Sequence, residues 1–318
     1  MKTIWAPLPG SQTLFLTCPV YEVLLEGTRG GGKTDTLLMS YAQHVGRGFG
    51  DHWRGTLFRL TYPQLADVVA KSKRWFYQIF PGAKFNESDY VWKWPTGEML
   101  YFRYGANEDD YWNYHGHEYP WLGFEELTNW RNLSFYEAMH STCRSSHPGM
   151  PRMVRATCNP FGVGHASVKQ RFQIGPIPAG QIIKQEGALP RVRIHSTIYE
   201  NTILLKNDPN YLMSLESLSD PNRRRAWLEG DWDIHVGSFL EGVWQPSKHV
   251  VEPFERIAHA AAHVTGDGAQ HRRGDRNENR GNGVGVGPRL RGAASGERRR
   301  CHAHEIDLED GDLNGRLE

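Results

Sequence analysis

The sequence predicts an α/β fold with a mainly parallel central sheet flanked by helices, and three observations lead to this prediction. Short apolar runs alternate with helical stretches along residues 1–250, an order that is typical of parallel strands joined by crossover helices. A glycine-rich loop separates the first apolar run from the first helical stretch. A later apolar run, residues 119–124, ends in two adjacent carboxylates.

The composition is that of a soluble globular protein. The chain has 318 residues, of which 39% are apolar and 23% charged, and this length is enough for one large domain or two modest ones. A net charge of +1 argues against attraction of the whole chain to nucleic acid or acidic lipid. The four cysteines have no CxxC spacing, and HGH (115–117) and HAH (302–304) lack partner ligands for zinc. We expect a reduced cytoplasmic protein without a membrane span.

Local patterns predict the elements in chain order. An amphipathic or apolar helical spacing predicts helices at residues 35–45, 62–80, 133–145 and 165–172. Apolar runs bounded by turn residues predict strands at residues 23–26, 55–60, 119–124 and 152–157, and a β-hairpin at residues 90–104.

The stretch GTRGGGKT, residues 27–34, fits the pattern GxxxxGK[ST] and lies between a predicted strand and a predicted helix. This context is the one that a phosphate-binding loop requires. Glycines let backbone N–H groups turn toward phosphates, and the helix adds the positive end of its dipole. The sequence therefore predicts that phosphates bind Gly27, Thr28, Arg29, Gly30, Gly31, Gly32, Lys33 and Thr34.

Individual roles follow from the chemistry of a P-loop. Lys33 would neutralise the β- and γ-phosphates of ATP, and the Thr34 hydroxyl would hold Mg²⁺. Arg29 is a catalytic candidate with two alternatives: it touches the γ-phosphate, or it points to solvent. A glycine-rich turn that matches by chance is the alternative to the whole site, and the strand–helix context argues against it.

Two further stretches supply the other parts of a hydrolysis site. Glu125 and Glu126 end the run YPWLGF, where one acid can hold Mg²⁺ and the second can polarise the attacking water. In RATCNP (155–160), Thr157 or Asn159 can sense the γ-phosphate at the end of another strand. Taken singly, these stretches are better explained by a solvated acidic turn and a plain Asn-Pro turn, and only together with the phosphate loop do they indicate a site.

With these stretches together, the chain resembles the large terminase subunit of tailed bacteriophages, the motor that packages DNA into capsids. The resemblance covers about residues 1–250 and rests on GSQ (10–12) followed by YEVLLEGTRGGGKTD, on YHGHEYPWLGFEELTNW (114–130) and on RATCNPFGVGHASVKQRF (155–172). The stretch DPNYLMSLESLSDPNRRRAWLEGDWD (208–233) resembles the family's closing segment, within about residues 190–250.

The resemblance implies an ASCE-type P-loop ATPase that uses ATP and Mg²⁺ in the cytoplasm of an infected or lysogenic bacterium. It implies a ring of subunits around double-stranded DNA, with the portal protein and the small terminase subunit as partners. Its adenine-contacting glutamine corresponds to Gln12, its Walker-B acid and catalytic glutamate to Glu125 and Glu126, and its coupling motif to residues 157–159. The glutamate at 125 departs from the family's usual aspartate.

The composition changes abruptly after Phe254. Residues 255–318 contain no Phe, Trp, Tyr or Lys, and most of this segment is rich in glycine and arginine without periodicity. We expect residues 258–318 to be either a disordered basic tail or an out-of-frame product, in the place of the RNase H-like nuclease that the resemblance implies. Asp267 and the acidic run that contains Asp307, Glu309 and Asp310 are poor nuclease candidates, so we expect no endonuclease activity.

Three functions stay open at this stage. The first is an active, DNA-stimulated packaging ATPase, and the second is an inactive remnant that binds nucleotide or the portal. The third is another P-loop enzyme such as a helicase or kinase. The arginines at 223–225 fit a basic helical face toward DNA or a neighbouring subunit better than a kinase lid. Arg59, Arg103 and Arg144 are candidates for a trans-acting arginine, and each could equally form a structural ion pair.

Overall fold

A single sheet forms the centre of the part of the chain that the structure describes. The computed structural model describes residues 3–234. In these residues the sheet has eight strands, in the spatial order β3-β4-β5-β2-β6-β7-β1-β8. Their bounds are β1 (Glu22–Gly27), β2 (Arg54–Arg59), β3 (Lys84–Asn86), β4 (Val91–Lys93), β5 (Met99–Tyr104), β6 (Trp121–Phe124), β7 (Met153–Cys158) and β8 (Arg191–Ser196).

Helices connect and cover the strands. Those of the described residues are α1 (Ser11–Thr17), α2 (Lys33–Ala42), α3 (Leu65–Ile79), α4 (Ser134–Met139), α5 (His165–Arg171), α6 (Thr202–Asn207), α7 (Tyr211–Glu216) and α8 (Pro221–Arg224), followed by a π-helical turn, Arg225–Glu229.

The six strands from β5 to β8 in the spatial order are parallel to one another, whereas β3 and β4 add an antiparallel edge. All six residues of β1 are buried, as expected for a parallel strand that is covered on both faces. Val23 and Leu25 pack into one hydrophobic cluster and Leu24 into the other, because successive side chains of a strand point to opposite faces. The predicted α/β fold with a mainly parallel sheet is therefore confirmed.

The predicted strands and the hairpin are present, but one predicted helix is shorter. The helix expected at residues 133–145 ends at Met139 and continues as a 3₁₀ turn, His140–Thr142. Ser141 and Thr142 donate their hydroxyls to the carbonyls of Ala138 and Met139. Such local side-chain bonds compete with helical backbone pairing. The strands β3 and β8 and the helices α1, α6 and α7 were not predicted.

Several sequence expectations fall on residues outside the described range. These are the tail at residues 258–318, Cys301, the HAH stretch and the acidic residues considered as nuclease ligands. Within the described residues, Cys18, Cys143 and Cys158 are free thiols. No helix in that range is long and apolar enough to cross a bilayer.

Candidate functional site

The predicted site residues meet at the carboxyl ends of three neighbouring strands. In the sheet, β6, β7 and β1 lie side by side and run parallel, so the loops that follow them share one edge. A cleft of about 350 Å³ opens there, within the size range of small-molecule sites. It is lined by Arg29, Gly30, Gly31, Gly32, Lys33, Thr34, Asp35, Lys71, Glu126, Thr157, Asn159, Asn201 and Tyr211.

The glycines of the loop adopt backbone conformations that other residues disfavour. Gly30 and Gly32 have φ values of 81° and 77°, and Gly27 has a φ of 132°. Gly32 is also the N-cap of α2, which begins at Lys33. The sequence folds this way because glycine has no Cβ to oppose a positive φ. The loop thus delivers its backbone and the positive end of α2 to the cleft.

Lys33 carries a buried positive charge at the centre of this site. Its side chain is 7% exposed, and its Nζ donates a hydrogen bond of 2.6 Å to the carbonyl oxygen of Thr28. Burial lowers the pKa of the Lys33 ammonium, an effect that the negative charge of Glu126 opposes. Among residues 3–234, no carboxylate lies within ion-pair distance of this ammonium. Lys33 is therefore a buried cation whose direct partner is a neutral carbonyl.

Glu125 lies behind the cleft lining and is tied to a neighbouring strand. Its side chain is buried, and its Oε2 accepts a hydrogen bond of 3.1 Å from Nη1 of Arg59, at the end of β2. Burial raises the pKa of the Glu125 carboxyl, whereas the positive charge of Arg59 and a hydrogen bond from the Thr34 side chain lower it. The predicted metal ligands Thr34 and Glu125 are thus neighbours.

Glu126 enters the cleft through an unusual backbone conformation. Its φ is 58°, in the left-handed region, which costs a non-glycine residue about 1–3 kcal/mol and is concentrated at functional sites. Glu126 caps the 3₁₀ turn Leu127–Asn129. Because the chain turns there, the two adjacent carboxylates separate: Glu125 faces Arg59, and Glu126 lines the cleft.

The loop after β7 contacts the phosphate loop directly. Asn159 is 6% exposed and its Nδ2 donates a hydrogen bond of 2.7 Å to the carbonyl oxygen of Gly27. Its own carbonyl accepts a bond of 3.0 Å from the Thr128 hydroxyl, in the turn after Glu126. Thr157 lines the same cleft and is buried. Asn159 consequently joins the loops after β1, β6 and β7.

Gln12 supports the glycine loop from α1. Its Nε2 donates a hydrogen bond of 3.0 Å to the carbonyl of Gly31, and its Oε1 accepts one of 3.0 Å from the N–H of Leu8. Both atoms of the amide thus have backbone partners, and Gln12 does not line the cleft. The adenine contact expected of Gln12 stays a prediction.

Arg29 packs on the closing segment. The Arg29 guanidinium lies 3.4 Å from the ring centroid of Trp227. The backbone N–H of Arg29 donates a hydrogen bond of 2.8 Å to the Trp227 carbonyl. The side chain is exposed and also lines the cleft. Stacking on an aromatic face was neither of the two positions considered for Arg29 from the sequence.

Four residues of the cleft were missed by sequence reasoning: Asp35, Lys71, Asn201 and Tyr211. Asn201 is the clearest, because its Nδ2 donates a hydrogen bond of 2.6 Å to the carbonyl of Gly30 while its Oδ1 caps α6 at the N–H of Leu204. An Asn before a helical run is a recognisable N-cap signal, but its contact with a loop 171 residues away is not.

The arginines that the sequence left ambiguous have identifiable partners. Arg59 pairs with Glu125, as described above. Arg103 donates to the carbonyls of Asp89 and Phe102, and Arg144 donates to that of Gly116. In the stretch 223–225, Arg223 pairs with Asp220 and Arg225 with Asp231.

A larger groove lies elsewhere. It measures about 1080 Å³, is open to solvent, and runs along the amino end of β1 beside Glu22 and Arg171. None of the predicted site residues lines it. Glu22 and Arg171 form an ion pair of 2.6 Å, so their charges neutralise each other. Because Lys33 lacks such a partner among the described residues, the smaller cleft is the better candidate for an anionic ligand.

Comparison with solved structures identifies the fold. The large terminase of a thermophilic bacteriophage superposes with a TM-score of 0.55 at 18% sequence identity, over 79% of this chain and 59% of that one. The ADP complex of the same terminase gives a TM-score of 0.54 at 17% identity over 77% of this chain and 59% of that one. The chain has the fold of a phage large terminase.

The terminase resemblance inferred from the motifs is therefore confirmed at the level of the fold. The same thermophilic phage terminase was also solved with ATP-γ-S, and that complex matches with a TM-score of 0.50 at 17% identity, over 78% of this chain and 59% of that one. The present chain spans about three fifths of the length of that terminase. No protein-family model and no curated protein matches the sequence.

Proposed function

We propose that this terminase-like chain hydrolyses ATP, and the observation that carries the proposal is the buried ammonium of Lys33. A charge removed from water is costly unless an opposite charge or hydrogen bonds compensate for it. Lys33 has one neutral carbonyl partner and faces a 350 Å³ cleft. A phosphate group in that cleft would supply the missing negative charge.

The surroundings of Lys33 fit a nucleoside triphosphate better than a single phosphate. The loop of Gly30, Gly31 and Gly32 supplies N–H groups along the cleft, and the N-terminus of α2 adds to the positive potential. Lys71 and Arg29 add two further cations to the lining. We infer that ATP lies along this loop with its β- and γ-phosphates toward Lys33.

The oxygen donors beside the cleft fit Mg²⁺. The Thr34 hydroxyl and the Glu125 carboxylate are hard oxygen ligands of the kind that Mg²⁺ prefers, and they are neighbours. Bound there, Mg²⁺ would neutralise charge on the phosphates. Arg59 keeps part of the Glu125 carboxylate engaged, and its positive charge opposes the rise in pKa that burial imposes on this acid.

Glu126 is the group that we assign to the attacking water. Its carboxylate lines the cleft and is not held in an ion pair among the described residues, so it is free to accept a hydrogen bond from water. Orientation of the water is the main task of such a group in phosphoryl transfer. Thr157 and Asn159 would contact the γ-phosphate. The hydrogen bond from Asn159 to Gly27 would couple a change at this contact to the phosphate loop.

We further propose that the hydrolysis drives double-stranded DNA into a capsid. The fold that the chain shares with the thermophilic phage terminase supports this assignment. The proposal places the ATPase in residues 1–250, with residues 190–250 as the closing segment, and includes a ring of subunits with portal protein and small terminase as partners. Endonuclease activity is not part of it.

Hydrolysis measurements test the proposal. The wild-type chain should release phosphate from ATP in the presence of Mg²⁺, Lys33→Ala should neither bind nor hydrolyse it, and Glu126→Gln should bind ATP but turn over at least about 100-fold more slowly. Stimulation by double-stranded DNA that falls steeply with salt would support the motor. Binding without turnover in the wild type would instead support the remnant.

A further inference from the structure

A second pocket lies beside β2 and β5. It measures about 390 Å³ and lies beside Arg54, which opens β2, and Tyr119, which precedes β6. In the parallel register of β2 and β5, Arg54 is paired with Met99 and Arg103 with Phe58, so the pocket lining reaches from the amino end of β2 to the carboxyl end of β5. This pocket and the Lys33 cleft share no lining residue.

Two guanidinium groups converge on this pocket. Arg54 and Arg103 both line it. Burial raises the pKa of Tyr119, whereas the positive charges of both arginines lower it, so both charges act on the same tyrosine. His117 also lines the pocket and shares a hydrogen bond of 2.6 Å with the Tyr119 hydroxyl.

Among the described residues, neither guanidinium has an acidic partner. The Nε of Arg54 donates to the carbonyl of Asp51, and Nη1 of Arg103 donates to the carbonyls of Asp89 and Phe102. Within residues 3–234, neither arginine forms an ion pair. Each therefore keeps N–H donors and a full positive charge for a ligand.

The acid in the lining is directed elsewhere. The Oε1 of Glu118 accepts hydrogen bonds from the N–H and the hydroxyl of Ser146, at 2.9 Å and 3.4 Å. These bonds lower the pKa of the Glu118 carboxyl, the one to the Ser146 N–H most of all. The carboxylate is thus engaged by Ser146 and stays ionised, and two arginines against one carboxylate leave the pocket with a surplus of positive charge.

We propose that this pocket binds a phosphate group attached to an organic residue of nucleotide size. Each guanidinium matches the fork of oxygen atoms on phosphate, and such charge-assisted bonds are stronger than neutral ones. The cavity is larger than one phosphate needs. The ring of Tyr101 and the amide of Asn113 also line it, which provides an aromatic surface and hydrogen-bonding groups for a base or sugar.

Calorimetric titration with inorganic phosphate and with AMP tests the proposal. Arg54→Ala and Arg103→Ala should each weaken the binding of both probes to this pocket about tenfold, the loss expected for one charge-assisted contact. Arg47→Ala is the matched control, because Arg47 is another exposed arginine that donates to a backbone carbonyl and does not line this pocket; the affinity of this variant should equal that of the wild type. Arg54→Ala is the easier variant to interpret, because Arg103 also donates a hydrogen bond to the Asp89 carbonyl and its loss could change the local structure.

Lys33→Ala separates this pocket from the proposed ATP site. Phosphate and AMP binding that depends on Arg54 should persist in Lys33→Ala, whatever the fate of the proposed ATPase. Comparison of AMP with a 5′-phosphorylated hexathymidylate shows which kind of molecule carries the bound phosphate. Tighter binding of AMP indicates that the ligand is a free nucleotide, and tighter binding of the oligonucleotide indicates that it is the end of a nucleic acid. Wild-type affinity in both Arg54→Ala and Arg103→Ala, or an equal loss in Arg47→Ala, would overturn the proposal.

Discussion

The indole Nε1 of Trp232 donates a hydrogen bond of 2.8 Å to Oε2 of Glu26, across 206 residues of sequence. Glu26 is completely buried in β1, immediately before the phosphate loop, and Trp232 belongs to the closing segment. The Trp232 carbonyl in turn accepts bonds of 3.0 Å from His165 and from Lys169 in α5. The closing segment is thereby fastened to the strand that carries the loop.

Glu26 collects further partners from β8. Its Oε1 accepts a hydrogen bond of 2.7 Å from Nη1 of Arg193 and lies 3.2 Å from Nδ1 of His195. A buried carboxylate needs this number of donors, because each unpaired oxygen would carry a desolvation cost. The cluster therefore explains how the sheet tolerates an acid next to the candidate site.

Removal of the Trp232 donor should destabilise the fold. Trp232→Phe keeps an aromatic ring but removes one of the two partners of Glu26 Oε2, with only His195 Nδ1 left at 3.2 Å, and we expect a loss of about 1–3 kcal/mol in the free energy of unfolding. Urea unfolding measures this loss. Trp112→Phe is the control, since Trp112 is 68% exposed, and its effect should stay within about 0.5 kcal/mol. Equal effects in the two variants would contradict the assigned role of the bond.

His195 should make stability depend on pH. The hydrogen bond to Glu26 raises the pKa of His195 above its ordinary value of 6.5. The folded state thus binds a proton more tightly than the unfolded state, and this stabilisation is complete below pH 6.5 and disappears as pH rises through the raised pKa. Burial of His195 and the positive charge of Arg193 oppose the shift without reversing it.

Thermal unfolding of His195→Gln at several pH values checks this prediction. The melting temperature of the wild type should exceed that of the variant most below pH 6.5, and the difference should shrink at higher pH. Comparison of the two chains cancels the contributions of His44 and His140, whose pKa values burial lowers to about 4. A difference that grows with pH would refute the prediction.

Arg59 should set the pH range of hydrolysis. The Glu125 carboxyl must be ionised to hold Mg²⁺; burial raises its pKa, and the positive charge of Arg59 lowers it. Arg59→Gln removes that charge, so the acid limb of the Mg²⁺-dependent rate should move to higher pH. Measurement of the ATP hydrolysis rate from about pH 5 to 9 gives the position of this acid limb. Arg144→Gln should leave it in place, and an unshifted limb in Arg59→Gln would exclude the role.

Gly27 should tolerate no side chain. A Cβ at this position would lie 2.0 Å from the carbonyl oxygen of Ser196, and the φ of Gly27 is 132°. We expect Gly27→Ala to cost more than about 4 kcal/mol, the range reserved for severe steric or buried-polar damage. Soluble yield and unfolding midpoint measure the effect.

Gly116 provides the matched control for Gly27. It also has a positive φ, 84°, but no atom within 4 Å of the position of a Cβ. Gly116→Ala should cost only about 1–2 kcal/mol, the strain of a left-handed backbone. If the two alanine variants were equally stable, the contact with Ser196 would not be the cause.

The sequence alone predicted the features that depend on neighbouring residues. The apolar run before residue 27, the glycines of the loop and the helix after Lys33 each follow from local periodicity and backbone preference. These patterns were enough for the α/β class, for the loop and for the resemblance that the shared fold confirms. They also indicated that residues 125–126 and 157–159 would end strands.

Only the tertiary structure decided which distant groups touch. The bond of Asn159 to Gly27 joins residues 132 apart, and the pair of Arg59 with Glu125 joins residues 66 apart. The spatial order of the strands brings these groups together, and no local pattern encodes that order. The stacking of Arg29 on Trp227 and the bond of Trp232 to Glu26 depend in the same way on where the closing segment returns to the sheet. Local sequence thus determines which groups stand at the strand ends, whereas long-range packing determines which of them are paired and leaves Lys33 facing the cleft.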